Sequence, residues 1–205
     1  MDNFGFSFLG LHFRITKFTM AELYIPVILG TTRNENESQK VARFLFHKLE
    51  QLEDVKTEIL DIGVANFPML TERVSESNVI SESLQVWTEK IKAADGLIIV
   101  SPEYKSGYPG SLKNFLDYLP PGVFRYKPVG ISTVSSGVYA GTSCLSQLRQ
   151  VVIGMAGLVI PDRFQIGNVQ TAFDESLNLS DDRNIKIADK FIRELIKYTS
   201  TFQSL

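Results

Sequence analysis

The chain predicts an α/β protein built on a doubly wound, open, parallel sheet. Three observations carry that expectation. Apolar runs of strand length recur along the chain, amphipathic helical patterns alternate with them five times over, and glycine- and hydroxyl-rich turns follow several of the runs directly. Strands covered on both faces lose the polar alternation of half-exposed ones, so near-continuous apolar runs are what a parallel sheet leaves in a sequence.

The expected strands are residues 23–29 (LYIPVIL), 56–62 (KTEILDI), 97–101 (LIIVS), 129–134 (VGISTV) and 158–166 (LVIPDRFQI). Pro161 inside the last run has no N–H for a ladder and predicts an edge strand or a bulge there. The helices are read from apolar residues three and four apart. Val41, Phe44, Leu45, Leu49 and Leu52 share one face, as do Leu112, Phe115, Leu116 and Leu119. Leu145, Leu148, Val152 and Met155 share another, and Ala188, Phe191, Ile192, Leu195 and Ile196 repeat the spacing near the end. A weaker helix runs from about residue 80 to residue 93 and stops at Asp95-Gly96. Residues 61 to 83 form a long excursion between the second strand and its helix, of the kind that is functional or mobile.

Bulk properties exclude several classes. The 205 residues are 44% hydrophobic and suit one domain with a substantial core. With 21 basic against 23 acidic residues, nothing marks a nucleic-acid surface. A membrane span needs about 20 consecutive apolar residues, and no run approaches that. The lone Cys144 excludes an internal disulfide framework and a cysteine-rich metal site, and points to a reducing, cytoplasmic setting. Residues 1–20 are aromatic-rich and read as a leader outside the fold, disordered or non-native. Asp2, His12 and Arg14 speak against a signal peptide. Residues 21–205 then form the single domain.

In such sheets ligands bind beyond the carboxyl ends of the strands, where the winding reverses. The loop after the first strand, Gly30-Thr31-Thr32-Arg33-Asn34-Glu35-Asn36-Glu37-Ser38-Gln39, offers hydroxyls, a cation and a helix start with Ser38 near the N-cap. It suits a phosphate, and equally it suits an ordinary capped polar turn. It is neither a P-loop nor a GxGxxG turn. The loop after the third strand, SPEYKSGYPGSLKNFLDYL over residues 101–119, brings Gly107, Gly110, Pro109 and the flat faces of Tyr104 and Tyr108. Such a loop can lay peptide groups against a planar ligand, or simply cover the sheet edge. The loop after the fourth strand runs through Ser135-Ser136-Gly137 with more small and hydroxyl residues. Three such loops on one edge say more than each alone.

Signatures of a protein-borne nucleophile are missing. Only four residues separate Cys144 from Arg149, where a phosphatase loop requires five, and both fall in an amphipathic helix, so Cys144 reads as core. His12 and His47 have no spaced partners, and no GxSxG elbow or metal-ligand cluster occurs. A site for a phosphate and a flat ring, without its own acid–base groups, suggests that a cofactor carries the chemistry.

The stretch Pro102-Glu103-Tyr104-Lys105-Ser106-Gly107-Tyr108-Pro109-Gly110-Ser111-Leu112-Lys113-Asn114, with Asp117 after it, closely resembles the signature loop of the NADPH-dependent FMN reductases. That family's pattern is roughly PEYN-x-x-x-PG-x-LKN-x-x-D. The resemblance extends upstream to Gly30-Thr31-Thr32-Arg33 and downstream to Lys127-Pro128-Val129-Gly130 and the loop from Ser135. It implies a flavodoxin-like five-stranded sheet of order 2-1-3-4-5, bound FMN, NADPH or NADH as co-substrate, and a homodimer or homotetramer. The implied activity is hydride transfer to FMN and reduction of a quinone, azo compound, metal oxyanion or free flavin.

By resemblance Thr31, Arg33 and Ser38 hold the phosphate, with Thr32 and Gln39 beside them in the same cofactor-binding set. Pro102, Glu103, Tyr104, Lys105 and Ser106 border the ring, and Ser135, Ser136 and Gly137 flank it. No catalytic side chain is assigned. Three departures stand out: Lys105 in place of Asn, Asn36 where many relatives carry a basic residue, and Ser135-Ser136 in place of Gly-Gly. If Lys105 points inward, its charge favours anionic reduced flavin. The rival reading is a flavodoxin-like one-electron carrier without reductase activity, against which the loop sequence and the net charge of −2 both speak.

Overall fold

The computed structural model of the chain describes residues 22–65, 67–71 and 82–203. The expected leader, about half of the 61–83 excursion and the start of the helix expected from residue 80 lie outside the described residues. The strands are β1 (Leu23–Tyr24), β2 (Val27–Leu29), β3 (Val55–Lys56), β4 (Ile59–Asp61), β5 (Leu97–Pro102), β6 (Pro128–Val134) and β7 (Leu158–Ile166). The helices are α1 (Ser38–Glu50), α2 (Ile62–Ala65), α3 (Glu82–Ala93), α4 (Gly110–Tyr118), α5 (Thr142–Gly154), α6 (Val169–Ala172) and α7 (Asp182–Gln203).

Five strands form a parallel sheet of order β4-β2-β5-β6-β7, and β1 pairs with β3 in a separate two-stranded ladder. Counted along the chain, those five strands lie in the order 2-1-3-4-5; what departs from the expectation of five unbroken strands is that the first two expected strands are each split. Pro26 has no N–H to give and interrupts the first. The two pieces nevertheless keep one register, since Leu23 faces Val55 and Val27 faces Ile59. At the other edge the bulge expected at Pro161 is present. Val129 pairs with Val159 but Ile131 with Arg163, so residues 160–162 swell out opposite Gly130.

Every residue of β5 and β6 is buried, which is why both read as unbroken apolar runs. Alternate side chains serve two cores. Val27, Leu29 and Val100 face α1 and α7, against Val41, Leu45, Phe191 and Leu195. Ile28, Ile99 and Ile131 face α3, α4 and α5, against Ile91, Leu112, Phe115 and Leu148. The helical faces read from spacing are buried or half-buried, except that α1 ends at Glu50, so Leu52 lies beyond it and is 39% exposed; Leu119 and Met155 likewise fall one residue past α4 and α5.

The winding reverses between β2 and β5, with β4 on the far side of β2. Gly30, directly after β2, donates to Val100 O at 2.8 Å. A Cβ there would sit 2.8 Å from Leu112 Cδ2, so the first loop is drawn tight against β5 and α4.

Candidate functional site at the carboxyl edge of the sheet

Thr31 is the hinge of the first loop. It is 1% exposed, and its Oγ1 meets Tyr104 OH at 2.8 Å and accepts from Arg33 N at 3.2 Å. One hydroxyl thus ties the loop after β2 to the loop after β5. The Arg33 guanidinium lies 5.1 Å from the Tyr104 ring centroid, a cation–π distance. Ser38 does not cap α1 as expected. It is the first helical residue, while Asn36 Oδ1 accepts from Gln39 N at 3.0 Å and Asn36 Nδ2 donates to Arg33 O at 2.9 Å. Asn36 is the side chain that organises this turn.

Beyond β5, Glu103 N donates to Val134 O at 2.8 Å, and Glu103 Oε2 accepts from Cys144 N at 3.0 Å in the first turn of α5. A carboxylate there answers the positive end of the helix. The chain then folds into a two-residue hairpin between Tyr104 and Gly107. After β6, Ser135 N donates to Ile166 O at 2.9 Å, Ser135 Oγ donates to Gly137 O at 2.8 Å, and Val169 N reaches Ser135 O at 3.3 Å. The first and last of these bonds join the third loop to the end of β7 and the start of α6, and the second braces the loop within itself.

A cleft of about 180 Å³ opens where these loops meet. Seven of the expected residues line it: Arg33, Ser38, Pro102, Glu103, Tyr104, Ser135 and Ser136. Thr31 supports Tyr104 from beneath, and Thr32, Gln39, Lys105, Ser106 and Gly137 are not among the lining residues. Lys105 is exposed at the hairpin tip and is not among the residues lining the cleft. Sequence reasoning missed Glu35, Glu37, Val134, Val169 and Gln170 on the wall. The signal for Val169 and Gln170 was available, because the turn after the last parallel strand ends on the same edge.

The wall carries Arg33 as its cation against Glu35, Glu37 and Glu103. Two of those carboxylates are engaged, Glu37 with Lys40 Nζ at 2.7 Å and Glu103 with α5. Arg33, Ser38, Ser135 and Ser136 with the flat Tyr104 make a donor set that suits a planar ligand bearing a phosphate. Cys144 lies behind the wall, not in it. Burial, opposed by a hydrogen bond to Ser101 and reinforced by the Glu103 charge, pushes its thiol up to about 11. Among the described residues no cluster of ligands could hold a metal, and no helix is long and apolar enough to cross a membrane.

Known proteins resemble this chain in sequence and in fold. The chain is 27% identical over 181 residues to an NADPH azoreductase of Bacillus sp. (strain OY1-2), covering 88% of this chain and 95% of the relative. It is 30% identical over 158 residues to a quinone reductase of Escherichia coli (strain K12), covering 75% and 82%. In three dimensions it resembles FerB, a flavoenzyme NAD(P)H:(acceptor) oxidoreductase of Paracoccus denitrificans. That match has a TM-score of 0.73 at 19% identity, over 88% of this chain and 98% of the other. Residues 23–171 match the model of one family, and on that match the chain belongs to the NADPH-dependent FMN reductases.

Proposed function

We propose that the cleft between the three loops holds FMN and that the protein is an NAD(P)H-dependent reductase of quinones, azo compounds, metal oxyanions or flavins. The observation that carries this reading is the convergence of Arg33, Ser38, Tyr104 and the Ser135-Ser136 hydroxyls on one wall at the point where the winding reverses. Arg33, Ser38 and the first turn of α1, flanked by Thr31, Thr32 and Gln39, receive the phosphate. The backbone of residues 102–106 and the hydroxyls of Ser135 and Ser136, with Gly137 beside them, border the ring. The chemistry FMN supplies when bound is acceptance of a hydride from NADPH and its delivery to the acceptor. The chain's own part is to bind, orient and shield: Tyr104 presents a flat face, Thr31 fixes that face, and Glu103 holds the loop to α5.

A cleft of about 180 Å³ is small beside ordinary ligand pockets of roughly 300–1,000 Å³. Val138 and Tyr139, on the loop that carries Ser135 and Ser136, are 72% and 82% exposed and leave apolar surface there. Both features support a homo-oligomer in which a second copy covers the open side, with residues 21–205 as the FMN-binding unit. The lone buried thiol supports a cytoplasmic setting.

The test is an absorption spectrum of the purified protein from 300 to 550 nm, followed by anaerobic NADPH. Two flavin bands that bleach support the reading. A colourless protein that also refuses added FMN overturns it.

A further inference from the structure

The turn that borders the cleft is held by a helix outside it, in a conformation its own residues resist. Tyr104 N donates to Gly107 O at 2.8 Å, and Gly107 N donates back to Tyr104 O at 3.0 Å. Both residues between them have positive φ, 50° at Lys105 and 63° at Ser106. That is a type I′ turn, which Asn-Gly and Gly-Gly adopt readily. Other L-residues in this region bring Cβ close to the following carbonyl oxygen, and neither Lys nor Ser is among the types that tolerate it routinely.

Strained turns persist where the surroundings over-determine them, and here α5 does so at two points. Gln147 Nε2 donates to Ser106 O at 2.8 Å, the carbonyl of the second strained residue. Glu103, one residue before the turn, is tied to Cys144 N. Gly107 completes the fit, since a Cβ there would lie 3.0 Å from Gln147 Oε1.

We propose that Gln147 is a positioning residue: it does not line the cleft, but it sets the height at which the turn between Tyr104 and Gly107 meets the flavin. Glu103 is the second tether, its carboxylate committed to α5 rather than to the ligand. The proposal rests on FMN occupying the cleft as described above.

A double-mutant cycle on the full chain tests it. Gln147→Ala weakens FMN binding to the deflavinated protein by about threefold, the loss expected for one exposed hydrogen bond. Lys105→Asn/Ser106→Gly makes the type I′ turn self-sufficient, and in that background the loss caused by Gln147→Ala shrinks below about twofold. An equal loss in both backgrounds overturns the proposal, because a merely structural role within α5 would be blind to the turn sequence. Melting temperatures of the four proteins without FMN read the same coupling. A fall on Gln147→Ala that is larger with Lys-Ser than with Asn-Gly supports the tether, and equal falls overturn it. Failure of the wild-type chain to bind FMN overturns the reading of the cleft instead, and the tether then stands or falls on the melting temperatures.

Discussion

Thr31→Val tests the claim that one buried hydroxyl joins the two loops. The substitution nearly keeps the shape and removes Oγ1, leaving Tyr104 OH and Arg33 N without the partner they have at 2.8 and 3.2 Å. Each such bond is worth about 1 kcal/mol net, and Tyr104 is half-buried, so water replaces part of the loss. The expected destabilisation is about 2 kcal/mol, a fall in Tm of roughly 4–8 °C for a domain of this size. Thr31→Ser keeps the hydroxyl, loses only a methyl and falls by about 1 kcal/mol. The assay is urea unfolding of Thr31→Val, Tyr104→Phe and the double variant. The double variant should be more stable than the sum of the single losses predicts, by about 1 kcal/mol, because both remove the same bond. FMN affinity drops alongside, since the ring of Tyr104 is freed. A Thr31→Val protein as stable as wild type, or a Thr31→Ser protein no better than Thr31→Val, refutes the reasoning.

Gly141, the N-cap of α5, has φ 74°, and a Cβ there would lie 2.8 Å from Thr133 Cβ. Gly141→Ala therefore loses about 2–4 kcal/mol in urea unfolding, whereas Gly110→Ala, with nothing within 4 Å of its Cβ, is near neutral. The Cys144 thiol, pushed up to about 11 chiefly by burial, stays protonated at pH 8 and is silent to a disulfide reagent until urea unfolds the chain. Because folding raises that pKa from 9.0, the thiol's contribution to stability is whole below pH 9 and is lost as pH rises through about 11, which Cys144→Ala abolishes. Glu58 moves the other way. Burial pushes its carboxyl up, but hydrogen bonds from Lys90 and from Tyr24 OH, the latter at 2.6 Å, outweigh it and hold the group below its ordinary value. Its stabilisation is therefore present at neutral pH and lost as pH falls below the ordinary carboxylate range, so Glu58→Gln narrows the difference in unfolding free energy between pH 7 and pH 3.

The sequence by itself determined the layered α/β plan, because burial on both faces of a parallel sheet writes itself locally. β5 and β6 are apolar throughout, and the faces of α1, α4, α5 and α7 follow helical spacing. It also located the three loops of the cleft, since turn chemistry and the edge rule for α/β sheets need no distant contact. Pro161 marked its bulge for the same reason: a missing N–H is a property of one residue. Only the tertiary structure decided how those loops are held. Asn36 rather than Ser38 supplies the side-chain acceptor at the start of α1, because an Asx side chain three residues upstream of Gln39 reaches its amide. The Thr31–Tyr104 hydroxyl contact spans 73 residues, the Glu103–Cys144 bond 41, and the Gln147–Ser106 bond 41. Lys105 and Ser106 sit exposed at the tip of a turn with two successive positive φ values, and neither is among the residues lining the cleft. Hydrophobic period and turn preference are short-range signals. The partner of a hydrogen-bonding side chain is chosen by which strands lie side by side, and that is known only once the sheet has wound.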